Sequence, residues 1–115
     1  MDLNQAVSVL EKEKELLSQV LELAECQVGL MESGRLEDFE VLLSLRARPM
    51  ALLSSIETDF GDEMPQVGTR LSPQEFSDLQ ELNSEIITLA NRIVEIDEKS
   101  EQFAEEHNHC IPWPF

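Results

Sequence analysis

The sequence predicts an all-α fold, an antiparallel up-down-up bundle of three long helices over residues 3–32, 35–60 and 72–107. Apolar residues recur at alternating steps of three and four, the spacing of amphipathic helices. Helix-breaking residues concentrate between these segments, and only 4 of the 115 residues are glycine, a composition that favours helices. This length suits one domain, residues 1–107, followed by an extended tail, residues 108–115.

The first helix is predicted from two parallel lines of apolar residues. One line begins at Leu3 and ends at Met31, with Lys14 as its polar interruption. The second line consists of Val9, Leu16, Leu23 and Leu30. Together they cover about 160° of the helix surface, which is wider than the seam of a dimeric coiled coil. We therefore expect this helix to contact two neighbours.

The second helix is expected to fold back on the first. Gly34 can adopt the left-handed conformation that ends a helix, and so short a connection makes the two helices antiparallel. Pro49 predicts a kink, because it removes a backbone donor and its ring clashes with the carbonyl of Leu45. The alternative is a helix that ends near Arg48. The apolar face comprises Leu36, Phe39, Leu42, Leu43, Met50, Leu53, Ile56 and Phe60.

The third helix has the clearest start. Residues 61–71 contain two glycines and a proline and predict a loop. Ser72 then supplies an N-cap, Pro73 the first helical position and Glu75 the third residue of a capping box. We expect the helix to continue to about His107.

The apolar face of the third helix has one polar interruption, Ser100, and is widened by Ile87 and Val94. Its main line consists of Leu79, Leu82, Ile86, Leu89, Ile93, Ile96 and Phe103. A stripe at helical spacing is usually core, whereas the widening residues could equally contact a partner.

Charge limits the classes of partner. The net charge is −16, from 24 acidic against 8 basic residues, and each third of the chain is acidic. Such a surface repels phosphate backbones and anionic lipids, so we expect neither nucleic-acid binding nor membrane insertion. No apolar run reaches the ~18 residues of a membrane span, and Met1 leads into DLNQ without a basic signal segment. The expected location is the cytoplasm.

The sequence offers no constellation typical of an enzyme. It has no glycine-rich phosphate loop, no G-x-S-x-G and no C-x-x-C. His107, His109 and Cys110 are three potential ligands, whereas a closed zinc site needs four. We therefore predict no catalytic residue, no metal and no cofactor.

The last residues, HNHCIPWPF, form a distinct segment. Pro112 and Pro114 hold the backbone extended, so the tail cannot continue the helix. Ile111, Trp113 and Phe115 would then expose large apolar side chains, of the kind that fill pockets. Three alternatives remain at this point: the tail packs on its own bundle, occupies a groove on a partner or symmetry mate, or is disordered.

The segment LELAECQVGLMESGRLEDFEVLLSLRARPMALLSSIE, residues 21–57, resembles the flagellar type III export chaperones of the FlgN kind, with the FliT kind as a near alternative. The pattern is a leucine-rich helix, a glycine turn, Leu-Glu with repeated leucines, an arginine and a Leu-Leu pair. The matching positions are Leu21, Leu23, Ala24, Glu25, Gln27, Gly34, Leu36, Leu42, Leu43, Arg46 and Leu53. Arg35, Pro49 and the IPWPF ending differ from the family pattern.

The resemblance implies a small acidic chaperone. It would bind the C-terminal amphipathic helix of a flagellar hook–filament junction or cap subunit, keep it unassembled before secretion and pass it to the export apparatus. Apart from the resemblance, Trp113 and Phe115 prompt the hypothesis that the tail occupies the client groove when no client is bound. A self-associating helical adaptor, with a second copy as its partner, is the alternative. The candidate partner-binding residues are Ile87, Val94, Ile96, Phe103, Trp113 and Phe115.

Overall fold

The structure is a computed structural model that describes residues 1–67, 70–107 and 111. It contains three long helices and one short helix, and no strand occurs within these residues. The helices are α1 (Leu3–Glu32), α2 (Leu36–Phe60), α3 (Met64–Val67) and α4 (Pro73–Glu106). The predicted all-α bundle of three long helices is confirmed.

The side-chain contacts between helices establish the up-down-up order. Lys14 of α1 contacts Glu85, and Gln27, further along α1, contacts Ser100, so α1 and α4 run parallel. Gln27 also contacts Arg46 in the first half of α2, which follows α1 through a three-residue connection. The result is an elongated molecule of 52 × 21 × 18 Å.

Local hydrogen bonds fix both ends of α1. Asp2 caps the helix and forms a capping box with Gln5, with N–O distances of 2.8 and 3.0 Å. At the other end Gly34 has φ = 72° and its N–H donates to the carbonyl of Met31, while the N–H of Arg35 donates to the carbonyl of Leu30. This is a Schellman motif, and it reverses the chain into α2.

The predicted start of α4 is confirmed. The backbone N–H of Glu75 donates to Ser72 Oγ at 3.2 Å, the N–H of Ser72 donates to Glu75 Oε1 at 3.0 Å, and Pro73 occupies the first turn. The Ser72 N–H donates to the Glu75 carboxylate and so favours its ionised form. This bond, with a smaller contribution from the Ser72 side chain, holds the pKa of Glu75 below its ordinary value.

The structure corrects two expectations about the middle of the chain. The helix α2 continues through Pro49, whose side chain is buried, so the alternative of a helix that ends near Arg48 is wrong. The segment 61–71 is not loop throughout, because Met64–Val67 forms a one-turn helix. So short a helix has no periodicity that sequence analysis could detect.

The helix α1 is the centre of the bundle. Both α2 and α4 pack along it, whereas α2 and α4 make few close approaches to each other. The buried residues of α1 are Ala6, Leu10, Leu16, Val20, Ala24, Gln27 and Met31. The wide apolar face predicted for this helix therefore serves two neighbours, as expected.

A small apolar cluster closes the end of the bundle near the α1–α2 connection. It consists of Met31, Phe39, Leu43 and Ala104. Leu30, Phe103 and Ile111 pack against it. Ile111 is the one tail residue that the structure describes, and it lies on its own bundle, in keeping with the first of the three alternatives for the tail.

Candidate functional site

One flank of α4 carries a stripe of residues that the core does not bury. Phe76, Asn83, Ile87, Ala90 and Val94 follow one another at steps of seven, four, three and four, so they lie on one side of the helix. Ile87 is 50% exposed, Val94 53% and Phe76 43%. We call these five residues the α4 stripe.

The α4 stripe borders the core face without belonging to it. Ile87 and Val94 each follow a buried isoleucine, Ile86 or Ile93. One residue advances about 100° around a helix, so the two exposed side chains point well away from the buried pair. Their exposure is therefore a consequence of the packing on α1.

The stripe faces the groove between α2 and α4. Asp97 lies three residues beyond Val94 on the same side of α4, and its carboxylate contacts Arg46 of α2. Near the other end of the stripe, Phe76 lines a pocket together with Glu57 of α2. Both α2 and α4 pack on α1 but approach each other only sparsely, and we call the surface between these two points the groove.

A buried polar cluster spans this groove. Arg46 is fully buried, and its two terminal nitrogens donate to the two carboxylate oxygens of Asp97 at 2.8 and 3.1 Å. Arg46 Nη1 also donates to Gln27 Oε1. A bidentate guanidinium–carboxylate pair fixes both distance and orientation. Arg46 thereby joins all three long helices at one level of the bundle.

The remaining hydrogen bonds complete the same cluster. Gln27 Nε2 donates to Asp97 Oδ1 and to Ser100 Oγ, both at 2.9 Å, and Ser100 Oγ donates to the carbonyl of Ile96 at 3.1 Å. Gln27 and Ser100 are fully buried. We call Gln27, Arg46, Asp97 and Ser100 the polar bridge.

The polar bridge was not predicted from the sequence. Ser100 was the one polar interruption of the α4 face, and that interruption was the available signal. Lys14, the interruption in α1, likewise contacts α4, through Nζ to Glu85 Oε2 at 2.6 Å. Interruptions of a helical period can therefore mark polar contacts between helices. Arg46 carries the same signal, because it interrupts the apolar period of α2, whereas Arg48 lies on the opposite side of that helix.

The pocket at the end of the groove has a volume of about 380 Å³. We call it the end pocket. Its apolar walls come from three helices, and two acidic side chains, Glu13 of α1 and Glu57 of α2, also line it. Burial, with a smaller contribution from the nearby Glu57 charge, raises the pKa of the Glu13 carboxyl above its ordinary value. Its apolar lining includes Leu10, Met64, Phe76 and Leu79.

A second exposed apolar stripe lies on α2. Val41, Leu45 and Leu52 are 60%, 59% and 42% exposed. Around the helix, Val41 lies about 160° and Leu45 about 120° from Glu57. This outer α2 stripe therefore points away from the end pocket, and it provides a reference surface of similar chemistry.

The candidate partner-binding residues that the structure describes do not lie on one surface. Ile87 and Val94 are exposed in the groove, as the partner-binding prediction requires. Ile96 is only 4% exposed, so its side chain belongs to the core. Phe103 is half-buried against the cluster near the α1–α2 connection and stacks on His107, with ring centroids 4.0 Å apart. Trp113 and Phe115 lie outside the described residues.

The three potential metal ligands near the C-terminus can be followed only in part. His107 Nδ1 lies 2.9 Å from the carbonyl oxygen of Phe103. His109 and Cys110 lie outside the described residues. Within residues 1–67, 70–107 and 111, no three His, Cys, Asp or Glu side chains are placed to hold a metal ion. No helix in these ranges is long and apolar enough to cross a membrane.

Comparisons with known proteins do not indicate a function for this chain. No protein-family model matches the chain, and neither a curated protein nor a solved structure matches it. The resemblance to flagellar export chaperones stays a prediction that rests on residues 21–57. The surface of the groove is the feature from which a function can be argued.

Proposed function

We propose that this protein is a chaperone that binds an amphipathic helix of a partner in the groove between α2 and α4. The observation that carries the proposal is the exposure of Ile87 and Val94, 50% and 53%, on the groove side of α4. They are seven residues apart, which is two helical turns. An amphipathic helix laid into a groove presents its own apolar residues at the same interval.

The architecture supports this binding mode. Because α2 and α4 both pack on α1 and approach each other only sparsely, a fourth helix could pack between them. A fourth helix in that position would give each flanking helix a second neighbour, as in a four-helix bundle. The apolar face of a bound helix would be covered there, which prevents its premature assembly with other subunits.

The net charge supports a particular kind of partner. With 24 acidic and 8 basic residues, the protein attracts a basic helix and repels an acidic one. The resemblance at residues 21–57 then motivates the specific proposal. The partner is the C-terminal amphipathic helix of a flagellar hook–filament junction or cap subunit, held in the cytoplasm and released to the export apparatus.

Co-expression tests this proposal. The full chain would be produced together with the C-terminal helical segments of junction and cap subunits from the same genome. Size-exclusion chromatography with light scattering would then report the stoichiometry. We expect a one-to-one complex with one of the segments. Absence of a complex with every segment, together with a stable homodimer of the protein alone, would instead support the self-associating adaptor.

A further inference from the structure

The end pocket has a chemistry that the proposed function does not use. Its walls are apolar, from Leu10 of α1, Met64 of α3 and Phe76 and Leu79 of α4. Two carboxylates, those of Glu13 and Glu57, line the same space. We propose that the end pocket binds an ammonium or guanidinium group carried on an apolar stem, as in a lysine or arginine side chain of the bound helix.

The charge of the pocket supports a cationic occupant. The described residues that line it include no lysine, arginine or histidine. Glu13 is half-buried and its pKa is raised both by that burial and by the Glu57 charge, so the two carboxylates repel each other across the pocket. A cation placed between them would relieve this repulsion and favour the ionised form of Glu13.

The shape of the pocket supports an apolar stem. Its volume of about 380 Å³ is in the range of pockets that enclose small ligands. Lysine and arginine side chains bury their methylene groups on apolar surface while the charged end contacts polar groups. The side chains of Leu10, Phe76 and Leu79 offer such a surface next to the carboxylates.

The position of the pocket connects it to the groove, and this step rests on the proposed function. Phe76 and Asn83 belong both to the α4 stripe and to the pocket lining. Phe76 precedes Ile87 by eleven residues, or roughly 16 Å along the helix. A helix bound on Ile87 would therefore place a residue about three turns away over the pocket. We expect that residue to be lysine or arginine.

A small probe tests the pocket without any client. The full chain would be titrated with the n-hexylammonium ion and with 1-hexanol, and the chemical shifts of Leu10, Phe76 and Leu79 would be followed by NMR. We expect the ammonium ion to bind more tightly than the alcohol by on the order of fivefold. The preference should disappear in E13Q/E57Q, while the affinity for the alcohol is retained.

The matched control is E11Q/E40Q, which makes the same change in net charge. Glu11 and Glu40 are exposed, and neither lines the pocket. We expect this variant to keep the ammonium preference. Equal affinities for the two probes, or an equal loss of preference in the two double variants, would overturn the proposal.

A second arm separates the pocket from the proposed function. A client helix with lysine at the expected position would be compared with the same helix carrying norleucine there. Tighter binding of the lysine form supports the pocket proposal, whereas equal binding overturns it and leaves the chaperone function intact. If no helix binds while hexylammonium keeps its preference, the pocket takes free alkylammonium ions and the chaperone function fails.

Discussion

At the scale of single residues, Arg46 is a charged side chain whose burial has to be offset by its contacts. A fully buried guanidinium loses its hydration, and the loss is offset only when good geometry and several hydrogen bonds replace it. Asp97 and Gln27 supply those bonds from two other helices. Because these partners come from α1 and α4, the hydrogen bonds of Arg46 fix the positions of the three helices relative to one another along the bundle axis.

The first prediction concerns Arg46. Arg46→Ala removes the hydrogen-bond donor to Gln27 Oε1 and the ion-pair partner of Asp97. We therefore expect the free energy of unfolding to fall by about 3 kcal/mol. Arg48→Ala is the matched control, since Arg48 is exposed two residues away, and it should change stability by less than about 0.5 kcal/mol. Urea denaturation of the three proteins measures both. Similar losses in the two variants would show that Arg46 has no special role.

The second prediction concerns Glu13. Its pKa is raised in the folded state by burial and then by Glu57, so the folded state favours the protonated form. The contribution of Glu13 to the free energy of unfolding is therefore fully present below its pKa in the unfolded chain. It is lost as pH rises through its higher pKa in the folded protein. Glu13→Gln stays neutral, so we expect it to raise Tm at pH 7 and to change Tm little near pH 4.

Thermal unfolding at the two pH values, with Glu11→Gln as the exposed control, measures this effect. The control keeps the change of net charge and removes only a solvated carboxylate. An increase in Tm that is the same for both variants at pH 7 would attribute the effect to net charge. A decrease in Tm for Glu13→Gln at pH 7 would contradict the burial argument.

At the scale of helices, the chain ends its elements with short-range signals, which is why their boundaries could be predicted. Ser72, Pro73 and Glu75 predicted the start of α4, and Gly34 the end of α1. The box formed by Asp2 and Gln5 was overlooked, although Asp followed three residues later by Gln is a recognisable variant of the motif. Element boundaries depend on a few neighbouring residues, so local sequence contains most of the information.

The third prediction compares Gly29, within α1, with Gly34, in the α1–α2 connection. Gly34 has φ = 72°, a conformation that strains any residue with a Cβ, so Gly34→Ala should lower the free energy of unfolding by roughly 1–2 kcal/mol. Gly29 is helical, and a Cβ there would meet nothing within 4 Å. Gly29→Ala should therefore stabilise the protein by roughly 0.5–1 kcal/mol.

Chemical denaturation of the two variants checks the opposite signs. Both substitutions add one methyl group in the same region, so differences in hydrophobicity do not explain a difference in stability. Destabilisation of the same size at both positions would contradict the Schellman geometry. Stabilisation at both would mean that residue 34 can leave the left-handed conformation without a penalty.

At the scale of the whole molecule, the sequence predicted the number, length and order of the long helices but not how their side chains meet. Periodicity shows that a helix has an apolar face, whereas it does not show which part of that face a neighbour covers. For that reason Ile96 was grouped with Ile87 and Val94, although its side chain lies in the core. Ser100 interrupts the apolar period of α4, but Gln27 lies 73 residues away in sequence, so no local signal could pair the two side chains.

The fourth prediction concerns net charge. A charge of −16 on a molecule of 52 × 21 × 18 Å produces self-repulsion that favours the unfolded chain. Salt shortens the screening length from about 30 Å at 0.01 M to about 8 Å at 0.15 M. We therefore expect Tm to rise when sodium chloride is raised over this range.

Salt also has an opposite effect on stability in the same titration. Surface ion pairs such as Lys14–Glu85 and Arg35–Asp38 are weakened by salt. A fall in Tm with rising salt would mean that these pairs outweigh the general repulsion. Scanning calorimetry at constant pH distinguishes the two results.

The central claim, that the groove between α2 and α4 binds a helix through the α4 stripe, is tested most directly by an affinity ratio. Isothermal titration calorimetry would compare binding of the client helix to I87S/V94S and to V41S/L45S, which changes the outer α2 stripe. We predict that I87S/V94S weakens binding by on the order of 10- to 100-fold, while V41S/L45S leaves it within about twofold of the unmodified protein. Equal losses in both variants, or a loss confined to V41S/L45S, would contradict the claim.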